Sequence, residues 1–146
     1  MNMTHPPDLI LASTSPYRRQ LLERLQLPFS CIAPGVDEAP AIDGAPEQLA
    51  LRLGRAKALA VAHQAPDARV LGSDQVAWLP PTLLGKPGTS AAACAQLALC
   101  SGQTVTFYTS VVLAQDQTVL GERCVCTSVQ FRALSEAMIA RYVALE

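Results

Sequence analysis

Two long apolar β segments near the end of the chain are separated only by a short polar turn, and this spacing constrains the fold more than any other feature. The segments are residues 104–114 and 119–131, and Gln115-Asp116-Gln117 lies between them. Two extended segments joined by a short polar turn form a β-hairpin. Helical segments are interspersed with strands before this hairpin. We therefore predict a mixed α/β sheet with flanking helices and a long hairpin, rather than a regular βαβ series.

The preceding segments alternate between apolar β patterns and helical periodicity. The predicted strands span residues 8–12, 29–33 and 70–78. The predicted helices run from a Ser15 cap and Pro16 to Leu27-Pro28, over about 46–64, over about 90–99, and from a Ser135 cap to near residue 143. Residues 34–46 form a loop punctuated by prolines.

Composition narrows the class of protein. The chain has 146 residues, half of them hydrophobic, and a formal net charge of −1, which predicts one domain with a real core. A nearly neutral chain has no overall field that would gather nucleic acid or an anionic membrane. We expect neither a signal peptide nor a membrane span. The five cysteines form no CxxC pair, so free thiols in the cytoplasm are expected instead of disulfides or a zinc site.

The first strand runs directly into a turn rich in hydroxyl groups. Ser15 is an N-cap candidate followed by Pro16, and the start of a helix leaves amide N–H groups unpaired at the positive end of its dipole. Hydroxyl groups of Ser13 and Ser15 add donors, and Arg18 can clamp a phosphate with two parallel hydrogen bonds. These groups predict an anion cradle. The alternative is that Ser15 only caps the helix and the arginines are solvated.

Four further charged residues point to chemistry. Asp74 lies inside an apolar strand, where an unpaired carboxylate is costly. Glu38 lies in the loop sequence GVDE, Lys86 between a glycine and a proline, and Lys57 among small residues of a helix. Each taken alone is explained by a solvated face. Together with the cradle they indicate a site for a metal and a phosphate, in which carboxylates hold a divalent cation and basic groups neutralise phosphate oxygens.

The motifs STSPYRRQLL, GVDE, RLGRAKA, GSDQV and GKP, in this order and spacing, resemble the Maf-like nucleotide pyrophosphatases over residues 9–142. TSPYRR and SDQV look most like the branch that hydrolyses 7-methyl-GTP. The resemblance implies cleavage of a nucleoside triphosphate between its α and β phosphates, with Mg²⁺ or Mn²⁺ as cofactor. It also implies two lobes around a cleft, a homodimer, a small-molecule nucleotide as substrate, and neither nucleic acid nor a membrane as partner.

The resemblance also implies a role for each matching position. Asp74 matches the proton acceptor for the attacking water, and Glu38 matches an acidic position associated with metal or water. The resemblance implies a catalytic role for Lys86, and binding of phosphate and substrate by Ser13, Arg18 and Lys57. It implies that Tyr17 and Gln75 select the base. It also implies that Glu38 and Asp74 hold the metal.

The chain departs from the family pattern at three points. Tyr17 replaces a tryptophan, Gly54 replaces an alanine at a small cost in helix propensity, and family members continue beyond residue 146. Residues 1–146 are therefore expected to form a single Maf-like domain that is incomplete at its C-terminal side. Two other functions remain open: a pyrophosphatase for dTTP, UTP or another modified nucleotide, and a catalytically weak protein that controls cell division through a partner.

Overall fold

Six strands form one mixed sheet in the order β2-β1-β3-β5-β6, with β4 beside β3. The computed structural model describes residues 8–36 and 45–145. The strands are β1 (Leu9–Leu11), β2 (Ser30–Cys31), β3 (Arg69–Leu79), β4 (Thr82–Leu84), β5 (Thr104–Gln115) and β6 (Thr118–Gln130). The helices are α1 (Pro16–Glu23), α2 (Pro46–Gln64), α3 (Ser90–Cys100) and α4 (Glu136–Ala144).

Both parallel and antiparallel pairing occur in this sheet. β1 pairs in parallel with β2 and with β3, whereas β4 pairs antiparallel with β3. β5 and β6 are neighbours joined by Asp116 and Gln117, and Asp116 has a φ of 54°, the left-handed conformation that a tight turn needs. The predicted mixed α/β sheet with a long hairpin is thereby confirmed.

The contacts divide the chain into two compact units. The first comprises residues 1–74 and 109–124, and the second comprises residues 75–108 and 125–146. Strands β3, β5 and β6 run from one unit into the other along the chain. The expectation of a single, C-terminally incomplete domain stays a prediction.

Small side chains form the interior of the first unit. α2 contributes Ala58, Val61 and Ala62 to a cluster that also includes Ile10 of β1 and Val70 of β3. Alanines on one face allow a helix to lie close to a sheet, because their side chains end at Cβ. The alanine content of α2 therefore has a packing role beyond helix propensity.

Two glycines mark the closest approach of α2 to the sheet. A Cβ atom on Gly72 of β3 would lie 2.4 Å from the Gly54 carbonyl oxygen and 2.6 Å from the Ala58 amide nitrogen. A Cβ atom on Gly54 would lie 2.4 Å from the Ser110 hydroxyl oxygen. The sequence indicated only a loss of helix propensity at Gly54, whereas the structure shows that the missing side chain makes room for β5.

Several element boundaries differ from the prediction. α1 begins after its predicted Ser15 cap but ends at Glu23, because the chain tightens into i→i+3 hydrogen bonds that lead to Gln26 at a φ of 58°. β2 is shorter than residues 29–33, and β4 was not predicted. α2 has the predicted bounds.

Within the described residues, no helix is long and apolar enough to cross a membrane.

The second unit is held together partly by the segment after α3. α3 and α4 pack against each other. The amide of Leu134 donates to the Ser101 hydroxyl at 2.7 Å, and the amide of Phe131 donates to the carbonyl of Gln103 at 2.8 Å. These bonds fix the end of α3 against the segment that leads into α4.

We expect Gly72→Ala to lower the free energy of unfolding by about 3 kcal/mol or more, since its Cβ would meet backbone atoms that cannot move independently. Urea unfolding would measure this loss. Gly121→Ala is the matched control, because a Cβ on Gly121 of β6 meets nothing within 4 Å, and it should change stability by less than about 1 kcal/mol. Equal stability of the two variants would contradict the close approach.

Candidate active site

Asp74 lies on the face of β3 that α2 covers. Burial alternates along β3, with Val70, Gly72, Asp74 and Val76 buried, as expected for a strand in which successive side chains point to opposite faces. Asp74 is only 7% exposed. A carboxylate at this depth requires a partner, because desolvation of an unpaired charge is unfavourable.

Lys57 of α2 provides that partner. Its Nζ donates to Asp74 Oδ1 at 2.8 Å, and Lys57 itself is only 5% exposed. Lys57 thus reaches inward from its helix to the strand. A buried ion pair adds little net stability, but the loss of one partner is strongly destabilising, because a buried charge remains without compensation.

A buried serine joins the same two elements. Ser110 of β5 donates its hydroxyl to the Ala50 carbonyl of α2 at 2.6 Å. The amide of Asp74 donates to the same hydroxyl oxygen at 3.1 Å. Sequence analysis missed Ser110, since a serine in a strand of mixed threonines, valines and aromatics carries no signal of its partners. The backbone of Asp74 is thus linked to the helix that carries Lys57.

The turn after β1 has the hydroxyl groups that the sequence predicted, but they first serve the turn itself. The amide of Ser15 donates to Ser13 Oγ at 3.0 Å, and the amide of Arg18 donates to Ser15 Oγ at 3.3 Å. A hydroxyl group that accepts in this way still has its own proton to donate. The hydroxyl groups of the turn therefore keep their protons as donors, and the turn has fewer unpaired amides than expected.

The turn follows β1, the strand that pairs with β3. β1 and β3 are parallel with Leu11 opposite Leu71, and the Ala12 amide donates to the Leu71 carbonyl at 2.8 Å. The pairing ends there, because the Ser13 amide donates back to the Leu11 carbonyl at 3.0 Å, whereas β3 continues past Asp74 to Leu79. Neighbouring strands lie about 4.8 Å apart. The turn therefore starts beside Leu71, three residues before Asp74 on β3.

The two adjacent arginines of α1 have different surroundings. Arg19 forms an i,i+4 ion pair with Glu23, with Nε and Oε1 3.3 Å apart. Among residues 8–36 and 45–145, no carboxylate lies within 4 Å of the Arg18 guanidinium. Tyr17, at 69% exposure, presents its ring to solvent. Arg18 and Tyr17 thus stand beside the serine turn without a described role in packing.

Arg55, two residues before Lys57, is engaged elsewhere. Its guanidinium donates from Nε and Nη2 to both carboxylate oxygens of Glu122 on β6. This hydrogen bonding lowers the pKa of Glu122 and raises that of Arg55. The arrangement ties α2 to β6 and engages the Arg55 guanidinium there.

Three predicted site residues lie on the other face of β3, in the second unit, or outside the described residues. Gln75 follows Asp74 in β3, but strand alternation directs its side chain to the opposite face, where it is exposed. Lys86 is exposed in the loop between β4 and α3 of the second unit, next to Gly85, whose carbonyl accepts from Gln96 Nε2 at 2.7 Å. Glu38 lies outside the described residues.

The described donor set fits a metal that is shared with a substrate better than one held by protein alone. No cluster of three His, Cys, Asp or Glu side chains occurs in residues 8–36 and 45–145. Mg²⁺ is typically bound by one or two carboxylates together with substrate phosphates and waters. Asp74 offers a hard carboxylate oxygen of this kind. The residues therefore fit a cation that phosphate oxygens help to hold.

Comparisons with known proteins agree with this geometry. The family model of the Maf-like protein matches residues 8–146. The chain belongs to the Maf-like family. A relative from Alkalilimnicola ehrlichii named 7-methyl-GTP pyrophosphatase is 52% identical, over 99% of this chain and 73% of the relative. A relative of the same name from Xanthomonas oryzae pv. oryzae is 54% identical, over 96% of this chain and 73% of its own length.

The fold of this Maf-like chain also occurs in a solved structure of low sequence similarity. A HAM1 protein from Coxiella burnetii superposes with a TM-score of 0.54 at 14% identity, covering 84% of this chain and 71% of the other. At this identity the likeness establishes the shared fold alone. It confirms the mixed α/β fold class.

We expect Lys57→Met to lower the free energy of unfolding by about 3–5 kcal/mol, because the Asp74 carboxylate would remain buried without Lys57. The double variant Lys57→Met/Asp74→Leu is the matched control and should regain most of this loss, since an apolar pair needs no compensation. Thermal and urea unfolding of both variants would measure the difference. A double variant less stable than Lys57→Met would show that the pair is not the source of the effect.

Proposed function

We propose that this chain hydrolyses 7-methyl-GTP to 7-methyl-GMP and pyrophosphate. The observation that carries the proposal is the buried Lys57–Asp74 pair on β3, the strand that pairs with β1, which leads into the Ser13 turn. Such a site combines a carboxylate that can accept a proton with hydroxyl and basic groups that suit a polyphosphate. Relatives about half identical in sequence bear the name of this activity.

In this proposal Asp74 is the general base. The hydrogen bond from Lys57 Nζ holds Oδ1, which orients the carboxylate so that Oδ2 accepts the proton of the attacking water. The water oxygen forms a bond to the α phosphorus while the bond from that phosphorus to the α–β bridging oxygen breaks. Pyrophosphate leaves with the bridging oxygen. Proton transfer to a positioned side chain typically contributes about 10²–10⁴-fold to the rate.

The turn after β1 is proposed to bind the phosphates. The hydroxyl protons of Ser13 and Ser15 donate to phosphate oxygens, and the Arg18 guanidinium adds charge-assisted hydrogen bonds. Lys57 and Lys86 are proposed to neutralise further negative charge, as the family resemblance implies. Arg18 suits this role because its charge sits in the first turn of a helix, where it is unfavourable without an anion.

A divalent cation, Mg²⁺ or Mn²⁺, is proposed to be held by Asp74 and Glu38 together with the substrate's phosphates. When bound, it would neutralise phosphate oxygens.

A homodimer in the cytoplasm is proposed on the resemblance alone. Light scattering of the purified chain would measure its mass in solution.

Tyr17 and Gln75 are proposed to select the base. The 7-methylguanine ring carries a positive charge, and an aromatic face stacked against it gains cation–π energy of about 0.5–2 kcal/mol. The exposure of Tyr17 beside the phosphate-binding turn leaves its ring available for such stacking. Gln75 has amide donors and an acceptor suited to a purine edge.

Pyrophosphate release from 7-methyl-GTP, with Mg²⁺ or Mn²⁺ present, tests the proposed function. We expect turnover by the unaltered chain and a loss of about 10²–10⁴-fold in kcat for Asp74→Asn, which keeps the size of the side chain but removes the base. Comparable kcat values for the two proteins would overturn the mechanism. Faster hydrolysis of dTTP or UTP than of 7-methyl-GTP would assign the chain to another substrate.

For Tyr17→Ala, we expect the ratio of kcat/KM for 7-methyl-GTP to that for GTP to fall by about two- to thirtyfold, which is the cation–π increment. Tyr142→Ala is the matched control, since it removes another exposed tyrosine, from α4 of the second unit, and should leave the ratio unchanged. Equal losses with both nucleotides in Tyr17→Ala would show that the ring does not sense the charge on the base.

A further inference from the structure

Ser110 is a fully buried polar residue that touches neither the serine turn nor the proposed metal ligand oxygen. It has 0% exposure, and its hydroxyl connects three elements. It sits on β5, donates to the Ala50 carbonyl of α2 at 2.6 Å and accepts from the Asp74 amide of β3 at 3.1 Å. The partners are 60 and 36 residues away in sequence, so these bonds hold together distant parts of the first unit.

The space for this hydroxyl exists because residue 54 is a glycine. An ideal Cβ on Gly54 would lie 2.4 Å from Ser110 Oγ and 3.3 Å from Ser110 Cβ. Carbon and oxygen atoms that are not bonded do not approach to 2.4 Å, so a side chain at residue 54 would displace the hydroxyl. Gly54 and Ser110 are therefore complementary. Gly54 has no side chain, and the Ser110 hydroxyl occupies the space that a Cβ atom at residue 54 would need.

The bonds of Ser110 bear on the geometry of the Lys57–Asp74 pair. Ala50, Gly54, Lys57 and Ala58 lie on the buried face of α2, at the i, i+4, i+7 and i+8 spacing of one helix face. By holding the Ala50 carbonyl and the Asp74 amide at one oxygen, Ser110 fixes the separation between this face and β3. That separation is the span that Lys57 Nζ crosses to reach Asp74 Oδ1.

We propose that Ser110 is the positioning residue of Asp74: its hydroxyl sets the carboxylate in its catalytic orientation through the backbone of β3, and Gly54 provides the room. The inference rests on the proposed role of Asp74 as general base. Misplacement of a catalytic group by about 1 Å can cost about 10²-fold in rate. A hydroxyl that never contacts the substrate can thereby affect turnover while leaving substrate binding intact.

Ser110→Ala removes both hydrogen bonds. We expect kcat for 7-methyl-GTP to fall by about ten- to hundredfold, while KM changes less than about twofold, because the serine turn and Arg18 bind the phosphates independently of β5. Val112→Ala is the matched control, since Val112 is equally buried and faces the same side of β5 two residues along. It should lower the melting temperature by several degrees and leave kcat unchanged.

A compensating variant separates positioning from packing. Gly54→Ala alone should lower both the melting temperature and kcat, because the new Cβ displaces the Ser110 hydroxyl. Gly54→Ala/Ser110→Ala fills the space of the lost oxygen with the new methyl group. We expect its melting temperature to exceed that of Gly54→Ala, while kcat stays at the level of Ser110→Ala. Recovery of kcat together with the melting temperature would overturn the proposal, because packing alone would then account for the effect.

Amide hydrogen exchange reports on the hydrogen bond from the Asp74 amide to the Ser110 hydroxyl and needs no substrate. In Ser110→Ala, exchange at the Asp74 amide, relative to the Val70 amide of the same strand, should rise by about tenfold or more, while Val112→Ala should leave this ratio unchanged. An unaltered ratio in Ser110→Ala would overturn the inference. If the unaltered chain releases no pyrophosphate from 7-methyl-GTP, the proposed function fails, and the exchange ratio still decides whether Ser110 holds Asp74 in place.

Discussion

The distance between α2 and β3 is the constraint on which the first unit depends. α2 and β3 approach each other at the backbone atoms of Gly54, Ala58 and Gly72. Any other residue at position 72 would place a Cβ atom 2.4 Å from the Gly54 carbonyl oxygen. The closeness has two consequences. It closes the alanine and valine core, and it brings a lysine of the helix within hydrogen-bond reach of an aspartate on the strand. Packing and polar chemistry are therefore fixed by the same contact.

The buried ion pair and the serine turn are complementary parts of one arrangement. The pair brings two opposite charges together in an apolar setting, where neither charge would be tolerated by itself. The parallel register of β1 and β3 starts the hydroxyl-rich turn beside Leu71, three residues before Asp74 on β3. A short strand of three residues is sufficient to place the turn.

Local sequence signals predicted the elements whose cause is local. The Ser15 cap with Pro16 predicted the start of α1, the periodicity of residues 46–64 predicted α2, and the turn at 115–117 predicted the hairpin. Asp74 was identified because an aspartate conflicts with an apolar strand. Its partner Lys57 was selected because it lies among small residues, and the structure places it in the interior beside Asp74.

Features that depend on contacts distant in sequence were not predictable in the same way. Ser110 resembles any strand serine until its partners, 36 and 60 residues away, are known. Gly54 looked like a weak helix residue because the hydroxyl that fills its space belongs to another element. α1 ended early because its last turn tightens, a choice between nearly equal hydrogen-bonding patterns that composition does not decide. The roles of Glu38, Lys86 and Gln75 stay predictions.

The burial of Lys57 has a practical consequence for labelling. The chain contains only two lysines, Lys57 and Lys86, and the structure places one in the interior and the other on the surface. Amine acylation requires an accessible nitrogen, which exposed Lys86 offers and buried Lys57, hydrogen-bonded to Asp74, does not. Lys86 thus serves as the internal reference and Lys57 as the probe. Mass spectrometry of the labelled chain would report how often α2 separates from β3.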